Sequence, residues 1–162
     1  MKNISYIQGD VREPIGDGRK LICHIVNDEG KMGAGVAKAL YEKWGEVRSK
    51  YYQWHKEGKN FKLGHIQGIK VTDDIAVINM IGQRGIREKD GVPPVRYGAI
   101  RTCLQKVAEL ALKYKTSVNI PYLMGCDLAG GNWIEVEKII NEELCNKDIN
   151  VVIYDLFGKR KI

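Results

Sequence analysis

The chain of 162 residues carries a formal net charge of +6, with 44% hydrophobic and 28% charged residues, the balance of a soluble globular protein long enough to bury a core. No apolar run approaches the ~20 residues of a membrane span, and Met1-Lys2-Asn3-Ile4-Ser5 lacks the apolar core of a signal peptide, so a cytoplasmic protein with no membrane partner is expected. Cys23, Cys103, Cys126 and Cys145 form no CxxC pair and have no ligand-like spacing to a histidine; they read as reduced, mostly buried thiols, with no metal site expected.

In chain order, Ile4 to Gln8 reads as a short strand closed by Gly9-Asp10, followed by a loop broken by Pro14, Gly16 and Gly18. Leu21 to Val26 is nearly all apolar, the pattern of a strand covered on both faces. From Gly35 onward Val36, Ala37, Leu40, Tyr41 and Trp44 recur at helical spacing, and a second helical stretch runs from Glu46 to near Gly58. Ile66 to Val71 and Ile75 to Ile81, joined by Thr72-Asp73-Asp74, suit a hairpin and an antiparallel edge. Gly82 to Pro94 reads as a long loop, and Ala99 to Ala111 as the clearest helix. Ser117 to Pro121 is a strand, Asn132 caps a last helix with Glu135 three residues on, and Val151 to Tyr154 closes the sheet. Strands alternating with helices, with one hairpin in the middle, define an α/β/α layered fold with a mixed sheet. No repeat or linker interrupts residues 1–162, so one domain and a monomer are expected.

Two glycine-rich loops stand between a strand and a helix: Gly30-Lys31-Met32-Gly33-Ala34-Gly35 and Met124-Gly125-Cys126-Asp127-Leu128-Ala129-Gly130-Gly131. Glycines let backbone approach a ligand closely, and the N–H groups of such loops and of the helix starts behind them point at an anion. One loop of this kind is an ordinary turn; two of them suggest a phosphate clasp. The charge of +6 is diffuse, with one tight cluster at Lys159-Arg160-Lys161, and favours an anionic partner without specifying nucleic acid.

With those loops placed, Gly9-Asp10-Val11, Asn27-Asp28 with Met32 to Ala37, Asn79-Met80-Ile81-Gly82-Gln83, and Gly125 to Trp133 together resemble a macrodomain, over nearly the whole chain to Leu156. The similarity is greatest to the branch holding the yeast-type ADP-ribose 1″-phosphate phosphatases and the terminal ADP-ribose protein glycohydrolase. It implies a three-layer α/β/α domain with a mixed, mostly parallel six-stranded sheet and an ADP-ribose cleft at the carboxyl ends of the strands. Asp10, flanked by Gly9 and Val11, would accept from the adenine amine. Met32, Gly33, Ala34, Gly35 and Val36 would clasp the diphosphate and distal ribose from one side, and Met124, Gly125, Cys126, Asp127, Leu128, Ala129 and Gly130 from the other. Asn27, Asn79, Ile81 and Gln83 complete the implied contacts, and Tyr154 and Leu156 the adenine end.

Asn27, Asp28 and Asp127 are the candidate catalytic residues, for orienting water and moving a proton. No cofactor is implied. Departures from the branch are equally informative. The glycohydrolase lysine falls near Gln83 and its loop aspartate near Ala129, so both groups are absent here, and Arg84 cannot replace the lysine because guanidinium stays protonated. Asp127 stands where glycine is common; it either crowds the diphosphate or turns toward the distal ribose as a general base. His24 reads as a core histidine satisfied by a backbone carbonyl, with general acid catalysis as the alternative. Cys126 reads as packing, since no base partner is evident.

The expected function is binding of ADP-ribose and hydrolysis of ADP-ribose 1″-phosphate to ADP-ribose and phosphate. Three alternatives stand beside it: a non-catalytic reader of free or protein-attached ADP-ribose, an ADP-ribosyl ester hydrolase, and an RNA or poly(A)-type binder whose affinity would fall steeply with salt.

Overall fold

A computed structural model describes residues 2–160, so Lys161 of the basic tail lies outside the described residues. Six strands, β1 (Ser5–Gln8), β2 (Lys20–Asn27), β3 (Ile66–Lys70), β4 (Ile75–Gln83), β5 (Ser117–Pro121) and β6 (Val151–Asp155), form one sheet in the order β1-β6-β5-β2-β4-β3. Every neighbouring pair is parallel except β3 with β4, which is the antiparallel edge hairpin. The sheet is therefore mixed and mostly parallel.

Helices α1 (Gly35–Lys43) and α2 (Glu46–Glu57) cover one face, where Leu40, Val47 and Tyr51 pack with Ile22, Val26, Val77 and Ile81. Helices α3 (Tyr97–Tyr114) and α4 (Trp133–Glu143) cover the other, over Cys23, Met80, Ile120 and Ile153. β2 and β5 are neighbours, yet the chain leaves β2 toward the α1/α2 face and leaves β5 toward the α3/α4 face. At the carboxyl edge their loops diverge and open a crevice, the switch point where ligands bind on open α/β sheets.

The expected elements are present, with adjustments. β4 runs on to Gln83, two residues past the expected loop boundary, because a bulge opposite Val26/Asn27 brings Gln83 level with Asn27. The third helix is longer than its apolar stripe, and the first stops at Lys43 with Trp44 already extended. Asn132 caps α4 by accepting from the Ile134 N–H at 2.9 Å; its own N–H goes to the Tyr97 hydroxyl at 2.9 Å, so Glu135 does not complete a reciprocal box.

His24 is buried on β2, but its partner is the side chain of Asn79, its register neighbour on β4, rather than a backbone carbonyl. The Asn79 amide nitrogen donates to Val47 O at 3.2 Å and Gln67 Oε1 at 3.1 Å. Its oxygen therefore faces His24, and Nε2 must carry the ring proton. Nδ1 is a buried acceptor without a partner among the described residues. Burial pushes the ring pKa down to about 4, with the Asn79 contact opposing. The unfolded chain thus binds a proton that the folded chain refuses, so stability is fully present above pH 6.5 and falls toward pH 4 by about 3 kcal/mol. Urea unfolding at pH 7 and pH 4 checks this: His24→Gln should flatten the decline, and an unchanged slope would remove His24 as its source.

Candidate functional site

A cavity of about 1060 Å³ opens at the carboxyl edge of the sheet, at the upper end of the size range for small-molecule sites. The first loop contributes Met32, Gly33, Ala34, Gly35 and Val36, with Asn27 at the strand end; the second contributes Met124 to Ala129. Gln83 enters from β4, and Tyr154 and Leu156 from the end of β6.

The first loop is built by Asn27. Its Nδ2 donates to Lys31 O at 2.6 Å, while Oδ1 accepts from the N–H groups of Glu29 at 3.0 Å and Lys31 at 3.2 Å. From α2 the Tyr51 hydroxyl meets Asn27 O at 2.6 Å, and the Tyr52 hydroxyl donates to Met32 O at 2.9 Å. Gly30 is obligatory: its φ is +74°, and an added Cβ would lie 2.3 Å from the His55 ring. The loop delivers the chain to α1 with Ala34 as N-cap, so no side chain caps that helix and no acid occupies its first turn. The N–H groups of Gly33, Ala34, Gly35 and Val36 meet no acceptor among the described residues. Four residues with unpaired donors thus line the cavity at the positive end of α1.

The second loop closes on itself. The Gly131 N–H donates to Gly125 O at 2.9 Å, Gly130 to Asp127 O at 3.0 Å and Cys126 to Leu123 O at 2.8 Å, while Ala129 O ties the loop to the Val95 N–H at 2.9 Å. Left without an acceptor among the described residues are the N–H groups of Gly125, Asp127, Leu128 and Ala129. Leu123 holds φ +66°, a strained conformation for a side-chain-bearing residue. Burial pushes the Cys126 thiol up to about 11, so at neutral pH it is protonated. Asp127 is exposed, and its side chain is a carboxylate on the cavity wall.

Several expected contacts lie elsewhere. Asn79 and Ile81 are fully buried on the α1/α2 face, Asn79 in the polar network with His24 and Ile81 in the core. Both are corrected from ligand contacts to core residues. Gly9, Asp10 and Val11 do not line the cavity. Val11 is core, and Asp10 accepts from the Arg12 N–H at 2.9 Å and from its guanidinium at 2.6 Å, which holds the carboxyl below its ordinary pKa. The acceptor expected for the adenine amine is thus engaged by Arg12 and lies outside the cavity lining. Asp28 also lies outside the cavity lining: its Oδ1 accepts from the Gly85 N–H at 2.8 Å, tying the first loop to the segment after β4. Gly130 faces Pro93, 2.8 Å from where its Cβ would be.

Tyr52, Ile86, Tyr122, Leu123, Phe157 and Lys159 line the cavity without having been expected. Phe157 and Lys159 lie just beyond the last matching stretch, and an exposed aromatic directly after a closing strand was the available signal. Tyr52 sits on a helix that carried no motif. Among the described residues, no group of three or more His, Cys, Asp or Glu side chains could hold a metal ion.

No family model matches the chain. A solved macrodomain protein from Streptomyces coelicolor is 38% identical to it, covering 94% of this chain and 99% of that one with a TM-score of 0.85. The chain therefore belongs to the macrodomain family. Among curated proteins, it is 27% identical to the ADP-ribose glycohydrolase OARD1 of Bos taurus, over 94% of this chain and 91% of that protein. It is also 30% identical to the chromodomain-helicase-DNA-binding protein 1-like of Danio rerio over 93% of this chain, of which it spans only 15%.

Proposed function

We propose that the cavity binds ADP-ribose. The observation that carries this reading is the pair of glycine loops that line the cavity at the switch point, both with N–H groups that meet no acceptor among the described residues, and no acid in the first turn of α1. A doubly negative diphosphate is the group such a clasp fits. Strand order arranges the rest. The apolar end at β6, with Tyr154, Leu156 and Phe157, receives the base, and the end at β2 and β4, with Asn27 and Gln83, receives the distal ribose. From β6 to β4 is three inter-strand gaps, roughly 14 Å, which suits an extended ligand. The likeness to OARD1 supports the ligand class.

Hydrolysis of ADP-ribose 1″-phosphate is the second reading, and Asp127 favours it. Of the three candidate catalytic residues, Asn27 is spent on its own loop and Asp28 on Gly85, which leaves Asp127 as the exposed group on the cavity wall. Water giving a proton to Asp127 would attack phosphorus, the bond from phosphorus to the 1″ oxygen would break, and ADP-ribose would leave with that oxygen taking the proton back from Asp127, while the loop amides hold the developing charge. Lysine-assisted opening of the ribose has no support here, because Gln83 stands in that place with its amide on Gly85 O at 2.9 Å.

Calorimetric titration tests the binding reading, which expects one ADP-ribose per chain with little salt dependence; no saturable binding refutes it. A long, steeply salt-sensitive footprint on RNA would favour the nucleic-acid alternative instead. Phosphate release from ADP-ribose 1″-phosphate, lost in Asp127→Asn with binding retained, would support the catalytic reading. Binding without release leaves a reader of ADP-ribose.

A further inference from the structure

The wall of the cavity beyond β6 is a short arm, residues 156–160, that belongs to no helix or strand. Leu156, Phe157 and Lys159 line the cavity from it, and Phe157 is 73% exposed. An exposed aromatic on an arm this short would swing freely unless the arm were fastened at both ends. It is. At its root, Asp155 is buried and folds its carboxylate over the arm, with Oδ1 accepting from the Lys159 N–H at 3.0 Å and Oδ2 from the Arg160 N–H at 2.7 Å. At its tip, the Arg160 guanidinium lies over the Tyr6 ring, 3.5 Å from the centroid. Tyr6 is itself fixed: its hydroxyl donates to Glu137 and accepts from the Trp133 indole N–H at 2.9 Å, and its ring packs edge-on against Tyr122 and Trp133. Tyr122 also lines the cavity, and Trp133 opens α4 behind the second glycine loop.

We infer that Asp155 and Arg160 are positioning residues for ligand selection: they latch the arm so that Phe157 presents a fixed apolar face to the ligand's base, and Arg160 joins that face to the aromatic cluster beside the phosphate loop. The inference rests on the ADP-ribose reading for the identity of the ligand. Arg160 lies outside the cavity lining; Asp155 is part of it, but its two carboxylate oxygens are directed to the Lys159 and Arg160 N–H groups. Both act through the arm.

The test pairs two ligands with two variants. ADP-ribose carries the base, and ribose 5-diphosphate carries the diphosphate and distal ribose alone. Asp155→Asn and Arg160→Ala should each weaken ADP-ribose by about tenfold, the scale of one base–aromatic stack, and leave the ribose 5-diphosphate affinity within about twofold. Equal losses for both ligands would mean general damage to the cavity and would overturn the inference, as would no change for either. A second measurement needs no ligand: amide hydrogen exchange at Lys159 and Arg160 should be slow in the wild type and fast in Asp155→Asn, and fast exchange in the wild type would overturn the latch. A wild type that fails to bind ADP-ribose while keeping slow exchange would overturn the base-selecting role together with the ADP-ribose reading, and would leave the latch as a structural device.

Discussion

Gly131→Ala is expected to lower stability by about 3 kcal/mol and to abolish ADP-ribose binding. A Cβ at that position would lie 2.4 Å from Gly125 O and 3.3 Å from a Val95 methyl. The first clash is with backbone, and with the very oxygen that accepts the Gly131 N–H at 2.9 Å, so no rotamer change relieves it. Overpacking of this kind costs about 1–3 kcal/mol, and the hydrogen bond that closes the loop adds about 1 kcal/mol. For a domain of this size the melting temperature should fall by about 10 °C. Gly33→Ala is the matching control. Nothing lies within 4 Å of its Cβ position, yet the residue lines the cavity. Its stability should stay within about 0.5 kcal/mol of wild type while ADP-ribose affinity drops, because the methyl occupies ligand space. Thermal melts and titrations on both variants check the pair; a Gly33→Ala protein with full affinity would place the ligand elsewhere.

Asn27→Ala is the second large effect. The side chain makes hydrogen bonds to Lys31 O, Glu29 N, Lys31 N and the Tyr51 hydroxyl, and the residue is buried. At about 0.5–1.5 kcal/mol each, with several groups left unpaired in the interior, the loss should reach about 3 kcal/mol. The first glycine loop would no longer hold its N–H groups toward the crevice, so binding should fail along with stability. Asn27→Asp keeps the acceptors for Glu29 and Lys31 but loses the donor to Lys31 O, and should fall between the two. A variant at Asn27 that melts like wild type and binds ADP-ribose normally, yet releases no phosphate, would return this residue to catalysis.

Much of the frame was legible because the signals were local. The hairpin edge, the capped α4 and the two glycine loops each follow from short-range rules of turn chemistry and periodicity, and their order fixes the crevice. The misplacements have a common physical origin. Ile75 to Ile81 is apolar apart from Asn79, so alternation cannot say which residues face which layer, and Asn79 and Ile81, expected at the cleft, are buried away from it. Asp10 is expected as the adenine acceptor, and its pairing with Arg12 two residues on depends on rotamer and turn geometry, which composition does not reveal. Asn27 stood correctly at the cavity, but its hydrogen bonds with Lys31 and Tyr51 become visible only once α2 is folded over the loop.

The central claim is that two loops of unpaired amides clasp a diphosphate. The most direct measurement is the change in amide proton and nitrogen shifts as ¹⁵N-labelled protein is saturated with ADP-ribose. The N–H groups of Gly33, Ala34, Gly35 and Val36, together with those of Gly125, Asp127, Leu128 and Ala129, should show the largest changes. Saturation with those amides unmoved, or with changes confined to the shallow depression beside Gly64 and Thr102, would contradict it.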